Sequence, residues 1–166
     1  MEIRLSRIER FIRGRIQRYN HEKYWRYREK LVDPECGNLI TDCFRLIYIK
    51  RSDAFNNASM GTHRNFGAKF AEPPQLPHGI YGIIVSHNAV IGKNVRILHQ
   101  VTIGEGRGGA PVIGNDVVIG AGSKITGGVR IGDHVRIGAG CVIMQDIPDN
   151  SIVLAPEPVV RIRQER

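Results

Sequence analysis

The chain of 166 residues contains no apolar run approaching the roughly 18 to 20 residues that a membrane-spanning helix needs. Its opening, Met1-Glu2-Ile3-Arg4, lacks the apolar stretch of a secretory signal, so a cytoplasmic location is expected. Cysteine is scarce. Cys36, Cys43 and Cys141 are odd in number and are not spaced as metal pairs, which reads as reduced, buried thiols with no metal to hold. Aromatic residues make up only 7% of the chain, and no recognised nucleic-acid motif is present. No nucleic-acid partner is expected, despite a formal net charge of +8. With 42% hydrophobic and 24% charged residues, the composition suits a globular protein with one core unit and a smaller appendage.

The positive charge is concentrated at the front. Residues 1 to 51 hold thirteen of the 24 Lys and Arg and seven of the 16 acids, which leaves the remainder, with eleven bases and nine acids, close to balance. Leu5, Ile8, Ile12, Ile16 and Tyr19 recur at helical spacing with arginines between them, so residues 3 to 19 read as a basic amphipathic helix. Whether that helix touches a membrane surface is left open by its pattern. Further helices are expected over 22 to 32 and 38 to 50. Pro34 and Gly37 punctuate this region, and Pro73, Pro74 and Pro77 mark its end.

Beyond the prolines, one period dominates. Ile91, Ile97 and Ile103 fall six apart, as do Ile113, Ile119, Ile125, Ile131, Ile137 and Ile143, with Val85 in phase with the first set. Two residues before each isoleucine stands a small or medium side chain, among them Ala89, Val95, Val101, Val117, Ser123 and Cys141, and Gly usually follows the isoleucine. A period of six fits neither a helix nor a simple strand, but it suits a coil whose flat sides each use about six residues. The isoleucines point inward and stack coil upon coil, while Gly, Asn and Asp turn the corners. An antiparallel sandwich with Gly-rich turns would rarely keep this phase. The count of hexads gives a little over three triangular coils. The phase breaks once, between Ile103 and Ile113, where residues 105 to 110 form an inserted loop. Rigid scaffolds often carry function on such loops. The expected organisation is an N-terminal helical region over 1–72, a mainly β, parallel β-helix over 73–147, and a C-terminal tail over 148–166.

The segment from His78 to Ile143 resembles the serine acetyltransferase branch of the hexapeptide-repeat acyltransferases. The resemblance rests on Gly82-Ile83-Ile84-Val85 running into Ala89-Val90-Ile91-Gly92, on Ile97-Leu98-His99-Gln100-Val101-Thr102-Ile103-Gly104, and on the position of the loop. It implies a left-handed β-helix and transfer of an acetyl group from acetyl-CoA to a hydroxyl of a small acceptor. It places His78 as the general base that takes the hydroxyl proton during attack on the thioester. That role suits an imidazole, whose ordinary pKa lies near 6.5. The resemblance further implies cofactor contacts at the small residues Gly104, Gly106, Ala121 and Ala139, with Arg136 near the phosphates, where a guanidinium pairs well with phosphate oxygens. It implies a homotrimer with a shared site. A carboxylate is expected to orient His78, with Asp53 and Glu72 as candidates. His99, two residues beyond an inward isoleucine, should project at a corner of the coil as a reserve acid or base. His21, His63, His87 and His134 read as surface residues.

Two departures bear on the acceptor. Serine acetyltransferases usually carry Asp-His at the first site and Arg-His-Pro at the end of the loop, whereas Pro77-His78 and Gly109-Ala110-Pro111 stand here. The groups expected to hold the ammonium and carboxylate of serine are largely gone, and the chain ends in Arg163-Gln164-Glu165-Arg166 instead of the isoleucine tail that docks cysteine synthase. A sugar of a surface polysaccharide, or its precursor, is therefore the expected acceptor, with serine O-acetylation in cysteine biosynthesis as the alternative. A non-catalytic scaffold or binding protein is the reading from another class. Carbonic anhydrases on this kind of β-helix need three histidines around zinc, two in a His-x4-His pair, and this sequence has no such pair.

Overall fold

The computed structural model describes residues 14–35 and 37–161. Most of the basic helix expected over 3–19 lies outside them, as does Cys36. Among the described residues, two complete helices precede the coil, after a helical stretch over 14–16. The first, α1 (His21–Val32), begins at Asn20, whose side chain accepts from the Lys23 amide at 2.9 Å. The second, α2 (Leu39–Phe55), begins with a capping box in which Asn38 and Thr41 satisfy each other's amides. It runs five residues beyond the expected end, because no proline or glycine interrupts it before Asn56. Cys43 is exposed on this helix, which corrects the expectation of a buried thiol there, whereas Cys141 is buried.

The rest of the chain winds into a parallel coil with three flat faces. The first face stacks Ser59–Met60, Ile84–Val85, Thr102–Gly104, Lys124–Thr126 and Val142–Ile143. The second stacks Lys69–Phe70, Val90–Ile91, Val112–Ile113 and Arg130–Ile131, and the third stacks Arg96–Ile97, Val118–Ile119, Arg136–Ile137 and Ile152–Val153. Register explains the hexad. Met60, Val85, Ile103, Ile125 and Ile143 pair across the first face in one inward column, and Ile97, Ile119 and Ile137 do so across the third. All these side chains are buried. Each coil thus covers the apolar surface of the next, and repetition builds the core.

Parallel pairing extends on both sides of 73–147. Ser59–Met60 and Lys69–Phe70 start the coil, and Ile152–Val153 continues it. The extra coil was hidden because residues 59–75 carry no hexad. At the corners the backbone is forced into two patterns. A left-handed residue recurs in one column at Gly82, Gln100, Gly122 and Gly140. Elsewhere the coils approach closely: a Cβ added to Gly120 would lie 2.5 Å from the Gly138 carbonyl carbon, so glycine is required there for space.

The helices close the lower end of the coil. Trp25 packs edge-on to Phe70 with ring centroids 4.8 Å apart. Buried Arg28 donates from Nη2 to the Ala68 carbonyl at 2.6 Å and from Nε to the Met60 carbonyl at 3.2 Å, and so caps backbone that has no coil beneath it. Burial pulls this guanidinium down to about 10, so it stays charged at neutral pH.

Candidate functional site

His78 lies in the turn that joins the third face to the first at the bottom of the coil. That turn is tied by the Gly79 amide to the Leu76 carbonyl at 3.0 Å and by the Gly82 amide to the Asn56 carbonyl at 2.8 Å. The second bond fixes the turn to the end of α2. His78 is exposed, and one coil above it His99 occupies the same edge of the prism, half-buried. The two imidazoles meet edge to face, with centroids 5.2 Å apart and planes at 87°. His99 therefore stands at a corner, where its spacing from Ile97 put it.

The rings open into a cleft of about 590 Å³. Pro77 and Tyr81 line its coil side, and Phe55, Asn56, Ile16 and Gln17 line its helical side. None of these eight side chains is an acid, a lysine or an arginine. Arg18 lies over the Phe55 ring, 4.8 Å from its centroid, and is not among the lining residues. Asn56 joins the two sides: its side-chain amide donates to the Gln17 carbonyl at 2.9 Å and to the Ser52 carbonyl at 2.8 Å on the helical side, and its own carbonyl accepts from the Gly82 amide of the coil side at 2.8 Å.

Neither expected carboxylate partner serves His78. Asp53 is buried beneath α1, where Tyr24 Oη donates to its Oδ1 at 2.6 Å and Oδ2 has no partner. Burial pushes its carboxyl up to about 6, while the Tyr24 bond and the charges of Lys50 and Arg28 act in the opposite direction. Glu72 lies at another edge, where it accepts from the Asn94 amide at 2.7 Å. Both are occupied in shaping the fold, which corrects the expectation. The ring of His99 packs edge to face with that of His78.

The residues expected to hold the cofactor fall on two edges. Tyr81, His99, Ala121 and Ala139 form a vertical column: the Gln100 amide bonds the Tyr81 carbonyl, the Gly122 amide that of His99, and the Gly140 amide that of Ala121, at 2.9 to 3.0 Å. Coils stack at roughly 4.8 Å, so Ala121 sits directly above the imidazole pair. Arg136 is exposed on the third face, three residues before Ala139. Gly104 and Gly106 lie at the far end of the first face, where residues 105–110 make a small turn closed by two bonds between Gly106 and Gly109, at 2.9 and 3.1 Å. A second cleft of about 470 Å³ opens beside that loop and includes Gly106, Arg107 and Met144. One chain alone therefore does not gather all five positions.

The helical side of the first cleft was not legible in the sequence. Gln17 and Asn56 are 39 positions apart, and neither carries a motif. Tyr81 has a faint signal, being eighteen residues before His99, the span of one coil.

Residues 110–145 match the bacterial transferase hexapeptide family of six repeats, a coil that winds as a left-handed β-helix. The serine acetyltransferase of Synechococcus elongatus is 31% identical over 136 residues, which is 79% of this chain and 49% of that protein. Among solved structures, serine acetyltransferase isoform 3 of Entamoeba histolytica in complex with cysteine superposes with a TM-score of 0.62 at 31% identity, over 74% of this chain and 43% of that one. The serine acetyltransferase of Brucella abortus in complex with coenzyme A gives 0.60 at 28% identity, over 81% and 50%. The chain spans about half the length of the curated relatives it matches. Among the described residues, no helix is long and apolar enough to cross a membrane.

Proposed function

We propose, for a chain that belongs to the hexapeptide-repeat acyltransferases and to their serine acetyltransferase-like branch, an acetyl-CoA-dependent O-acetyltransferase in which His78 is the general base. The acceptor hydroxyl attacks the thioester carbon directly. Its oxygen forms a bond to that carbon, the carbon–sulfur bond breaks, and the hydroxyl proton passes through His78 to the departing sulfur, giving the acetyl ester and free thiol. No covalent enzyme intermediate is needed. The observation that carries this reading is the placement of His78 in a cleft directly beneath the column of Ala121 and Ala139.

Ala121 and Ala139 offer a pantetheine arm a path along the edge without side-chain bulk, and Arg136 is free to meet phosphates near its upper end. Gly104 and Gly106 fit the same cofactor only if the loop edge of a second copy lies against the first edge, so we assign a homotrimer in which each site is shared by neighbours. We place the activity in the cytoplasm.

Two acceptors are supported by different observations. The similar relatives are serine acetyltransferases, which favours L-serine and a role in cysteine biosynthesis. The cleft favours an uncharged acceptor, since among the described residues its lining carries no carboxylate for an ammonium and no lysine or arginine for a carboxylate, and Phe55 and Tyr81 offer rings against which a sugar could pack. A sugar of a surface polysaccharide or its precursor is the second reading.

An acceptor screen decides, with thiol release from acetyl-CoA followed in the presence of L-serine and of a panel of sugars and nucleotide sugars. Turnover dependent on a hydroxyl acceptor is expected, and the acceptor that supports it chooses between the readings. No thiol release with any acceptor, together with no heat of acetyl-CoA binding in calorimetry, would identify a scaffold and end the catalytic reading.

A further inference from the structure

A base that works on a turn needs its ring held in place, and His78 is exposed, while the two expected carboxylates, Asp53 and Glu72, are bonded elsewhere. We propose that His99 is the positioning residue of this site, an aromatic brace against which the His78 ring is aligned; the inference rests on the reading of His78 as the base.

Three observations carry it. The rings are 5.2 Å apart and nearly perpendicular, within the range in which one ring's positive edge packs on the other's negative face. No hydrogen bond joins them, so the contact is one of ring packing and not of proton exchange. His99 is also the better anchored of the two. Its carbonyl accepts from Gly122 at 3.0 Å, the next residue, Gln100, donates its amide to Tyr81 at 3.0 Å, and the ring sits half-buried within the corner column. The coil thus holds one ring of the pair in place against the more exposed ring of His78.

Loss of alignment at a reacting centre costs up to roughly 10²-fold, so a brace should affect kcat and leave acetyl-CoA binding alone.

The test compares His99→Ala with His99→Phe in the full chain, each checked for an unchanged melting temperature. His99→Ala should lower kcat about tenfold to 10²-fold with the KM for acetyl-CoA unchanged. His99→Phe keeps a ring and no nitrogen, and it should recover most of the rate. Carbon-13 relaxation of the His78 ring supplies a readout independent of turnover: the ring should be ordered in the wild type and in His99→Phe, and mobile in His99→Ala. If His99→Phe is as slow as His99→Ala, or if the His78 ring is equally ordered in both variants, the brace is overturned. A His78→Ala protein that turned over at the wild-type rate would instead remove the base reading, while the relaxation comparison would still decide whether His99 holds the ring.

Discussion

The coil and the helical region below it reach stability by opposite routes. In the coil, Ile97, Ile119 and Ile137 do the same thing at successive levels, and each side chain is buried by copies of itself. In the helical region nothing repeats. Tyr24, Trp25, Arg28 and Asp53 each make a distinct contact, and two of them are charged groups held almost entirely away from water. The comparison shows what each route is suited to. Repetition gives a rigid edge on which His99, Ala121 and Ala139 fall in line, whereas the polar, non-repeating region supplies the other wall of the cleft through Phe55 and Asn56.

Substitutions should separate the two routes. Ile119→Ala, in the fully buried column of the third face, should cost about 2–5 kcal/mol by denaturant unfolding, because adjacent rigid coils cannot collapse into the space. A cost below that range would mean that the coil relaxes more freely than its stacking suggests. Arg28→Met removes the donor to two buried carbonyls and should cost about 1–3 kcal/mol for each one left unpaired, read from the same titration. A neutral result would show that water replaces the guanidinium.

Asp53 gives the helical region a pH dependence of its own. Its folded pKa is raised to about 6 from 3.8, so the folded protein holds this proton more tightly than the unfolded chain does. Its contribution is therefore fully present below the lower value and is lost as pH rises through the window toward the upper one. Asp53→Asn should remove that slope and raise stability at pH 7 by about 2 kcal/mol relative to its effect at pH 4, as seen in melting temperatures at the two pH values. The smallest effect belongs to the exposed Arg136. Arg136→Ala should change stability by less than about 0.5 kcal/mol and raise the KM for acetyl-CoA while leaving kcat nearly unchanged, since a phosphate contact made equally in ground and transition states is uniform binding.

The coil was legible because every hexad reports its own register: once Ile91 and Ile97 are inward, the phase of each later isoleucine follows, and the ten-residue step to Ile113 can only be a loop. Met60 and Phe70 belong to the same inward columns but stand in segments with no period to reveal them. The site divided in the same way. His78 and His99 were visible beside their repeats, whereas Gln17, Phe55 and Asn56 reach the cleft only through packing of distant segments. Asp53 was one of two candidate carboxylates for His78, and Tyr24 from another helix holds it instead. Cys43 was misread for the same reason, since burial on α2 depends on which face meets α1.

In the proposed reaction His78 takes the proton of an acceptor hydroxyl while acetyl-CoA is bound by other residues. Thiol release and calorimetric binding of acetyl-CoA, measured together on His78→Ala, test it most directly. The rate at saturation should fall by on the order of 10²- to 10⁴-fold, the usual contribution of a positioned general base, with the affinity for acetyl-CoA unchanged. A wild-type rate in this variant, with the cofactor bound as before, would mean that His78 is not the base.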